Sequence, residues 1–181
     1  MRLAPISAAA FSALGLFAAL PAAAMLAPQA APTFEVFAKE DSTAFQSLDQ
    51  APLSTGITLA AGQAFSITAT GLWSGGGCPP VDANGAACFG TAPITGINYF
   101  SLVGKIGADS SYDASWFKVG TSYSGVAANS GTLFLAFLDS DSFNNSGSVM
   151  ATVSVVPEPG TWALLGAGLV AVAAVAKRRR G

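Results

Sequence analysis

Gly131-Thr132-Leu133-Phe134-Leu135-Ala136-Phe137-Leu138, then Asp139-Ser140-Asp141-Ser142-Phe143-Asn144-Asn145-Ser146-Gly147, then Ser148-Val149-Met150-Ala151-Thr152-Val153-Ser154-Val155: these three runs decide the fold class. The first is a short apolar run and reads as the strongest strand of the chain. The third alternates apolar and polar residues, the period-two pattern of a strand with one face buried. The middle run is made of turn formers, so the whole reads as a hairpin.

Working outward, Ala64-Phe65-Ser66-Ile67-Thr68-Ala69-Thr70 alternates in the same way, and Gly71 is expected to end it. Residues 34–38, 56–59, 100–106 and 115–119 are further strand candidates, with 120–125 as a turn region. Residues 39–53 are polar and without a period. Residues 73–96 form a long loop rich in Gly, Pro and Ala that holds both cysteines; loops of this length are often functional. Short strands between Gly/Ser/Asn turns, with no periodic helix and no internal repeat, predict an all-β protein with a single β-sandwich domain over residues 34–155.

Both ends are of a different kind. Arg2, the apolar stretch 8–20 and Ala22-Ala23-Ala24 make a secretory signal, residues 1–24, with cleavage expected after Ala24. A later cut near Ala31 and an uncleaved anchor are the alternatives. Residues 25–33 form an Ala/Pro linker. At the other end, Val156-Pro157-Glu158-Pro159 removes two backbone donors and fixes two φ angles, so no strand or helix runs through it. Residues 161–176 carry no charge and are expected to form a transmembrane helix. Counted from Gly160 to Ala176 the span is short, roughly 25 Å for about 17 residues. Lys177, Arg178, Arg179 and Arg180 follow, and cations at this place hold their end in the cytoplasm. The expected orientation is therefore an inner-membrane anchor with its C-terminus inside.

The chain has 181 residues, 51% hydrophobic and 10% charged. Between residues 25 and 156 nine acids face three lysines, a formal charge of about −6, which argues against nucleic acid as a partner. There is no histidine, so neither a Ser-His-Asp nor a Cys-His mechanism exists here, and no carboxylate pair stands out for glycoside chemistry. The expectation is a protein that is not an enzyme. In an oxidising compartment Cys78 and Cys88 are expected to form a disulfide contributing roughly 2–3 kcal/mol.

The loop 139–145 concentrates two carboxylates, two amides and two hydroxyls. Such oxygen-rich loops suit Ca²⁺, which takes six to eight oxygen ligands. They also make ordinary polar hairpin turns, so the loop chemistry alone leaves both readings open. Trp73, Tyr99, Trp116 and Tyr123 have the same ambiguity between sugar stacking and core packing.

Two resemblances add to this. The tail, through Val156-Pro157-Glu158-Pro159, the apolar run and the basic cluster, resembles the PEP-CTERM sorting signal of Gram-negative bacteria. That implies recognition by an exosortase, cleavage near the motif, and delivery to the cell envelope or extracellular matrix. The middle domain resembles the calcium-dependent galactophilic lectins of bacteria and the wider jelly-roll-like group around them. The matching pieces are residues 34–38, the turn 61–63, Gly71-Leu72-Trp73-Ser74, Leu102-Val103-Gly104-Lys105-Ile106-Gly107 and Asn144-Asn145-Ser146-Gly147-Ser148. The resemblance implies Ca²⁺ held by Asp139, Asn144, Asn145 and the Gly75 carbonyl, with Asp141 or Ser142 as the middle ligand. The loop is about two residues shorter than in that family. Pro80-Val81-Asp82-Ala83-Asn84-Gly85 stands where the family has its sugar-contacting His-Pro-x-Gln, so galactose specificity does not transfer. Asp82 and Asn84 are the remaining sugar-contact candidates. The expected function is a glycan-binding module acting on extracellular polysaccharide; the alternative is a structural matrix protein with no small ligand.

Overall fold

The computed structural model describes residues 30–46, 50–156 and 159–179. The expected signal segment, Pro157, Glu158 and Arg180 lie outside the described residues. Eight strands form two four-stranded antiparallel sheets: β1 (Thr33–Phe37), β2 (Leu53–Leu59), β3 (Ala64–Ser74), β4 (Leu102–Gly107), β5 (Phe117–Lys118), β6 (Ser122–Val126), β7 (Gly131–Phe137) and β8 (Ser146–Val155). The first sheet has the order β1-β8-β3-β6 and the second β2-β7-β4-β5. The fold is a β-sandwich, as the turn-separated strands predict.

The two sheets explain two kinds of strand sequence. In the first sheet, Val36, Phe65, Ile67, Ala69, Val149, Ala151 and Val153 point into the core, and the intervening Ser, Thr and Met face outward. One solvated face gives the alternating pattern. The second sheet is covered on both sides. Leu133, Leu135 and Phe137 of β7 join the central core, whereas Phe134, Ala136 and Leu138 pack outward against Val103, Trp116 and Ala92. Burial on both faces is why 133–138 is apolar without a break.

Lys105 lies on this second face and is almost fully buried, at 5% exposure. Its ammonium donates to Asp113 at 2.8 Å, to the Ser111 carbonyl at 2.7 Å and to Asp109 at 3.3 Å, so all three of its donors are used. Trp116 Nε1 donates to the same Ser111 carbonyl at 3.0 Å. The lysine thus fixes the loop 109–115 over the sheet.

Three local expectations are corrected. Gly71 does not end β3, which continues to Ser74 in register with β8. Gly71 has φ +126, and a Cβ there would stand 2.7 Å from the Ser148 carbonyl oxygen; the glycine marks a close strand approach rather than a stop. Residues 120–125 are not only a turn. Ser122–Val126 pairs with β3 as an edge strand, its Ser and Gly content having hidden it. The strand expected over 115–119 shortens to Phe117–Lys118.

The C-terminal helix α1 runs Pro159–Arg178, wider at both ends than the 161–176 expected. Proline at its first position has no N–H to lose there, and Lys177 and Arg178 in its last turn complement the helix dipole. Among the described residues no helix is long and apolar enough to cross a membrane.

Candidate functional site

The loop between β7 and β8 is held from beneath by residues 38–46. Thr43 Oγ1 donates to the Asp139 carbonyl at 2.7 Å and accepts the Asp139 N–H at 3.1 Å. The Gln46 N–H donates to the Ser140 carbonyl at 2.8 Å, and the Thr43 N–H to the Phe137 carbonyl at 2.9 Å. Asn145 Nδ2 donates to two carbonyls, those of Ala38 and Asp141, each at 3.1 Å. With its backbone tied this way, the loop is a fixed platform for its side chains.

Those side chains are not satisfied within the protein. Asn145 must turn its Nδ2 toward the two carbonyls, which directs Oδ1 away from them. That Oδ1 is buried and has no hydrogen-bond partner, and Asp141 Oδ1 is in the same condition. A buried polar oxygen left unpaired costs about 1–3 kcal/mol, so two in one loop call for a partner. Asp139 is 7% exposed. Burial pushes its carboxyl up to about 6, with the Asp141 charge adding to the rise and the Ser140 N–H and Asn145 amide opposing it. This is a desolvated carboxylate beside a second acid, an arrangement that a bound cation relieves.

The facing wall comes from the corner after β3. Trp73 is buried, and its Nε1 donates to the Phe100 carbonyl at 2.9 Å. Gly75 lies so close to the Phe100 ring that a Cβ would overlap it, and a Cβ on Gly76 would stand 2.7 Å from Asn144 Nδ2. Gly75, Phe89, Tyr99, Phe100, Asp139, Ser140, Asp141 and Asn144 line a cavity of about 240 Å³ that is open to solvent. Cys78 and Cys88 are joined in a disulfide, Cα to Cα 6.6 Å, behind this wall.

The expected residues separate clearly in space. Asp139, Asp141, Asn144 and Gly75 share the cavity, and Asn145 sits behind it against Ala38 and Asp141. Ser142 is buried, does not line the cavity, and accepts the Asn145 N–H with its carbonyl. Asp82 and Asn84 lie outside the cavity. The Asp82 carboxylate accepts the Asn84 N–H at 2.8 Å, and Asn84 Oδ1 accepts the Thr121 N–H at 3.2 Å, which ties the 82–85 turn to Thr121. Of the four aromatic candidates, Trp73 and Trp116 are buried, Tyr123 packs against Phe65 and Phe117, and Tyr99 lines the cavity. Sequence reasoning missed Phe89 and Phe100. The first had a usable signal, since it directly follows Cys88 in the pinned loop. The second had none; its φ of +66 is visible only in the fold.

Among the described residues no three His, Cys, Asp or Glu side chains gather to hold a metal by themselves. The donor set is instead two carboxylates plus amide and carbonyl oxygens, all hard oxygen donors. That set, with two buried oxygens unpartnered, fits Ca²⁺ and does not fit a soft thiophilic ion.

The tail decides the route of the chain. Residues 155–180 match the PEP-CTERM protein-sorting motif. The motif marks the protein for membrane transit and export to the envelope or extracellular space, with exosortase as its processing partner. A search of curated proteins gave no match. Among solved structures, the EclA N-terminal domain, a PllA-like lectin, is a distant match at 24% identity and TM-score 0.44, covering 68% of this chain and 95% of that domain.

Proposed function

We propose that the exported β-sandwich is a calcium-dependent glycan-binding module and not an enzyme. Asp139, Asp141, Asn144, Asn145 and the Gly75 carbonyl would hold the ion. When bound, Ca²⁺ supplies a Lewis-acidic anchor for ligand hydroxyls. The protein's part is to keep the donors fixed and partly desolvated before the ion arrives. The observation that carries this reading is the pair of buried unpartnered oxygens, Asp141 Oδ1 and Asn145 Oδ1, beside the desolvated Asp139. The sequence resemblance to calcium-dependent lectins supports the same reading. The ligand class that follows is the extracellular polysaccharide among which an exported matrix protein works.

In this reading residues 1–24 are removed as a signal, and α1 with Lys177 to Arg180 anchors the precursor in the inner membrane with its C-terminus cytoplasmic until exosortase acts. The apolar run and the four terminal cations support that route. A ligand-free structural matrix protein is the second reading, favoured by the tethered Asp82–Asn84 turn where related lectins contact sugar.

Calorimetric and thermal titration of the protein with Ca²⁺, with and without matrix polysaccharide, tests the proposal. A melting temperature indifferent to Ca²⁺ and to chelator, with no glycan binding in either condition, sinks it, because a ligand that binds only the folded state must stabilise it.

A further inference from the structure

Phe89 is 53% exposed, follows the disulfide at Cys88 directly, and lines the cavity opposite the acidic loop. An exposed phenylalanine usually has rotamer freedom. This one is held on several sides. Its ring packs edge-on to Phe100 with centroids 5.3 Å apart. It also lies over Gly77, where a Cβ would come within 2.7 Å of Phe89 Cζ. The Cys78–Cys88 bond then joins the residue after Gly77 to the residue before Phe89.

Behind it the aromatic contacts run inward. Phe100 stacks on Phe137 at 5.4 Å, and Trp73 meets Phe137 edge-on at 4.7 Å. Phe100 is a non-glycine residue at φ +66, a sparsely populated conformation, and it is kept there by the Trp73 Nε1 bond to its carbonyl and by its own N–H to the Leu138 carbonyl. A strained residue, a disulfide and three packed rings therefore support one half-exposed ring. A wall fixed in advance loses little entropy when a ligand lands on it.

Resting on the calcium-site reading above, we propose that Phe89 is the specificity-determining wall of that site, and that its ligand is a neutral sugar ring. An apolar C–H face of that ring lies on Phe89, across the cavity from Asp139 and Asp141. Charge fixes neutrality: Asp139 and Asp141 balance a divalent ion, leaving nothing to attract an anionic sugar. Size fixes a single ring. About 240 Å³ is below the roughly 300 Å³ at which pockets begin to enclose drug-sized ligands, so one residue of a polymer enters and the rest stays outside.

The test uses the full-length protein in detergent, with Phe89→Ala and Phe89→Trp beside it. Ca²⁺ affinity is measured calorimetrically for all three. Affinity for methyl glycosides of galactose, mannose, fucose and glucose, and for glucuronate, is then measured in saturating Ca²⁺. The expected result is equal Ca²⁺ affinity in all three and a neutral glycoside that binds the native chain. Phe89→Ala weakens that glycoside about 3- to 10-fold, the size of an aromatic contact, and Phe89→Trp restores it. Equal glycoside affinity for Phe89→Ala and the native chain, preference for glucuronate, or Ca²⁺ binding with no glycoside binding overturns the wall. Absence of Ca²⁺ binding in the native chain overturns the underlying calcium reading and the wall with it.

Discussion

Replacing Asp139 by Asn should make the calcium-free protein more stable while making it indifferent to calcium. Asp139 is nearly fully buried, and its carboxyl is raised from 3.8 to about 6 by burial and then by Asp141. Holding it ionised at pH 7 without a cation therefore costs roughly 3 kcal/mol. Its contribution to stability is fully present below pH 3.8 and is lost as pH rises through about 6, because the folded state binds the proton more tightly than the unfolded chain. An amide in its place is neutral and still accepts the Ser140 N–H that Asp139 Oδ1 accepts at 2.7 Å. The calcium-free variant should gain on the order of 1–3 kcal/mol at pH 7 and lose the decline between pH 4 and 7. Native protein at a Ca²⁺ concentration 100-fold above its dissociation constant should gain about 2.7 kcal/mol. For a domain of this size that is roughly 10 °C in melting temperature. Differential scanning calorimetry of both proteins, from pH 4 to 8 with calcium or chelator, reads all of this. A variant that still gains the full calcium increment, or one less stable than native without calcium, refutes the site.

Other outcomes follow from separate parts of the molecule. Gly75→Ala drives a methyl group into the Phe100 ring and should cost about 1–3 kcal/mol in denaturant unfolding while also weakening Ca²⁺ binding. Reduction, or Cys78→Ser with Cys88→Ser, should cost roughly 2–3 kcal/mol and loosen the Phe89 wall, seen as faster hydrogen exchange over residues 75–90. Asp113 is held down to about 2, first by the Lys105 hydrogen bond and then by Ser115; its stabilisation is present above pH 3.8 and lost as pH falls through about 2, so Asp113→Asn should flatten the acid end of the stability profile. Mass spectrometry of mature protein from its native envelope should find chains without Lys177 to Arg180; chains that keep them would mean the tail anchors and is not processed.

Strands with a pattern of their own were legible, whether unbrokenly apolar, as in β7, or alternating. β3 and β8 could be read because one face is wet, so their sequences alternate. β6 could not, because an edge strand of Ser, Tyr, Ser, Gly and Val owes its form to pairing with β3 and not to a pattern of its own. Gly71 misled because glycine signals both a stop and a close approach, and only the partner at Ser148 distinguishes them. In the site, the acids and amides of 139–145 were visible as a cluster of oxygen donors. The role of each was not. Which of Asp141 and Ser142 faces the cavity depends on how residues 38–46, remote in sequence, tie down the loop.

The place of β8 in the first sheet has a consequence for timing. It is the last strand to leave the ribosome, yet it lies inside the sheet, between β1 and β3. The last hydrogen bond along this strand, from the Val156 N–H to the Ala64 carbonyl, is made by the first residue of the Val156-Pro157-Glu158-Pro159 motif itself. During vectorial export, β1 and β3 must therefore wait without their shared neighbour until almost the whole domain has emerged. The Asp139 loop, which needs β8 to close it, waits too. On the proposed export route, the sandwich and its cavity come into being in the same interval in which the tail reaches the membrane. A segment that halts transit there would give the sheet time to close before the processing step releases the chain. Shortening or removing that pause would then release a protein whose first sheet still lacks its inner strand.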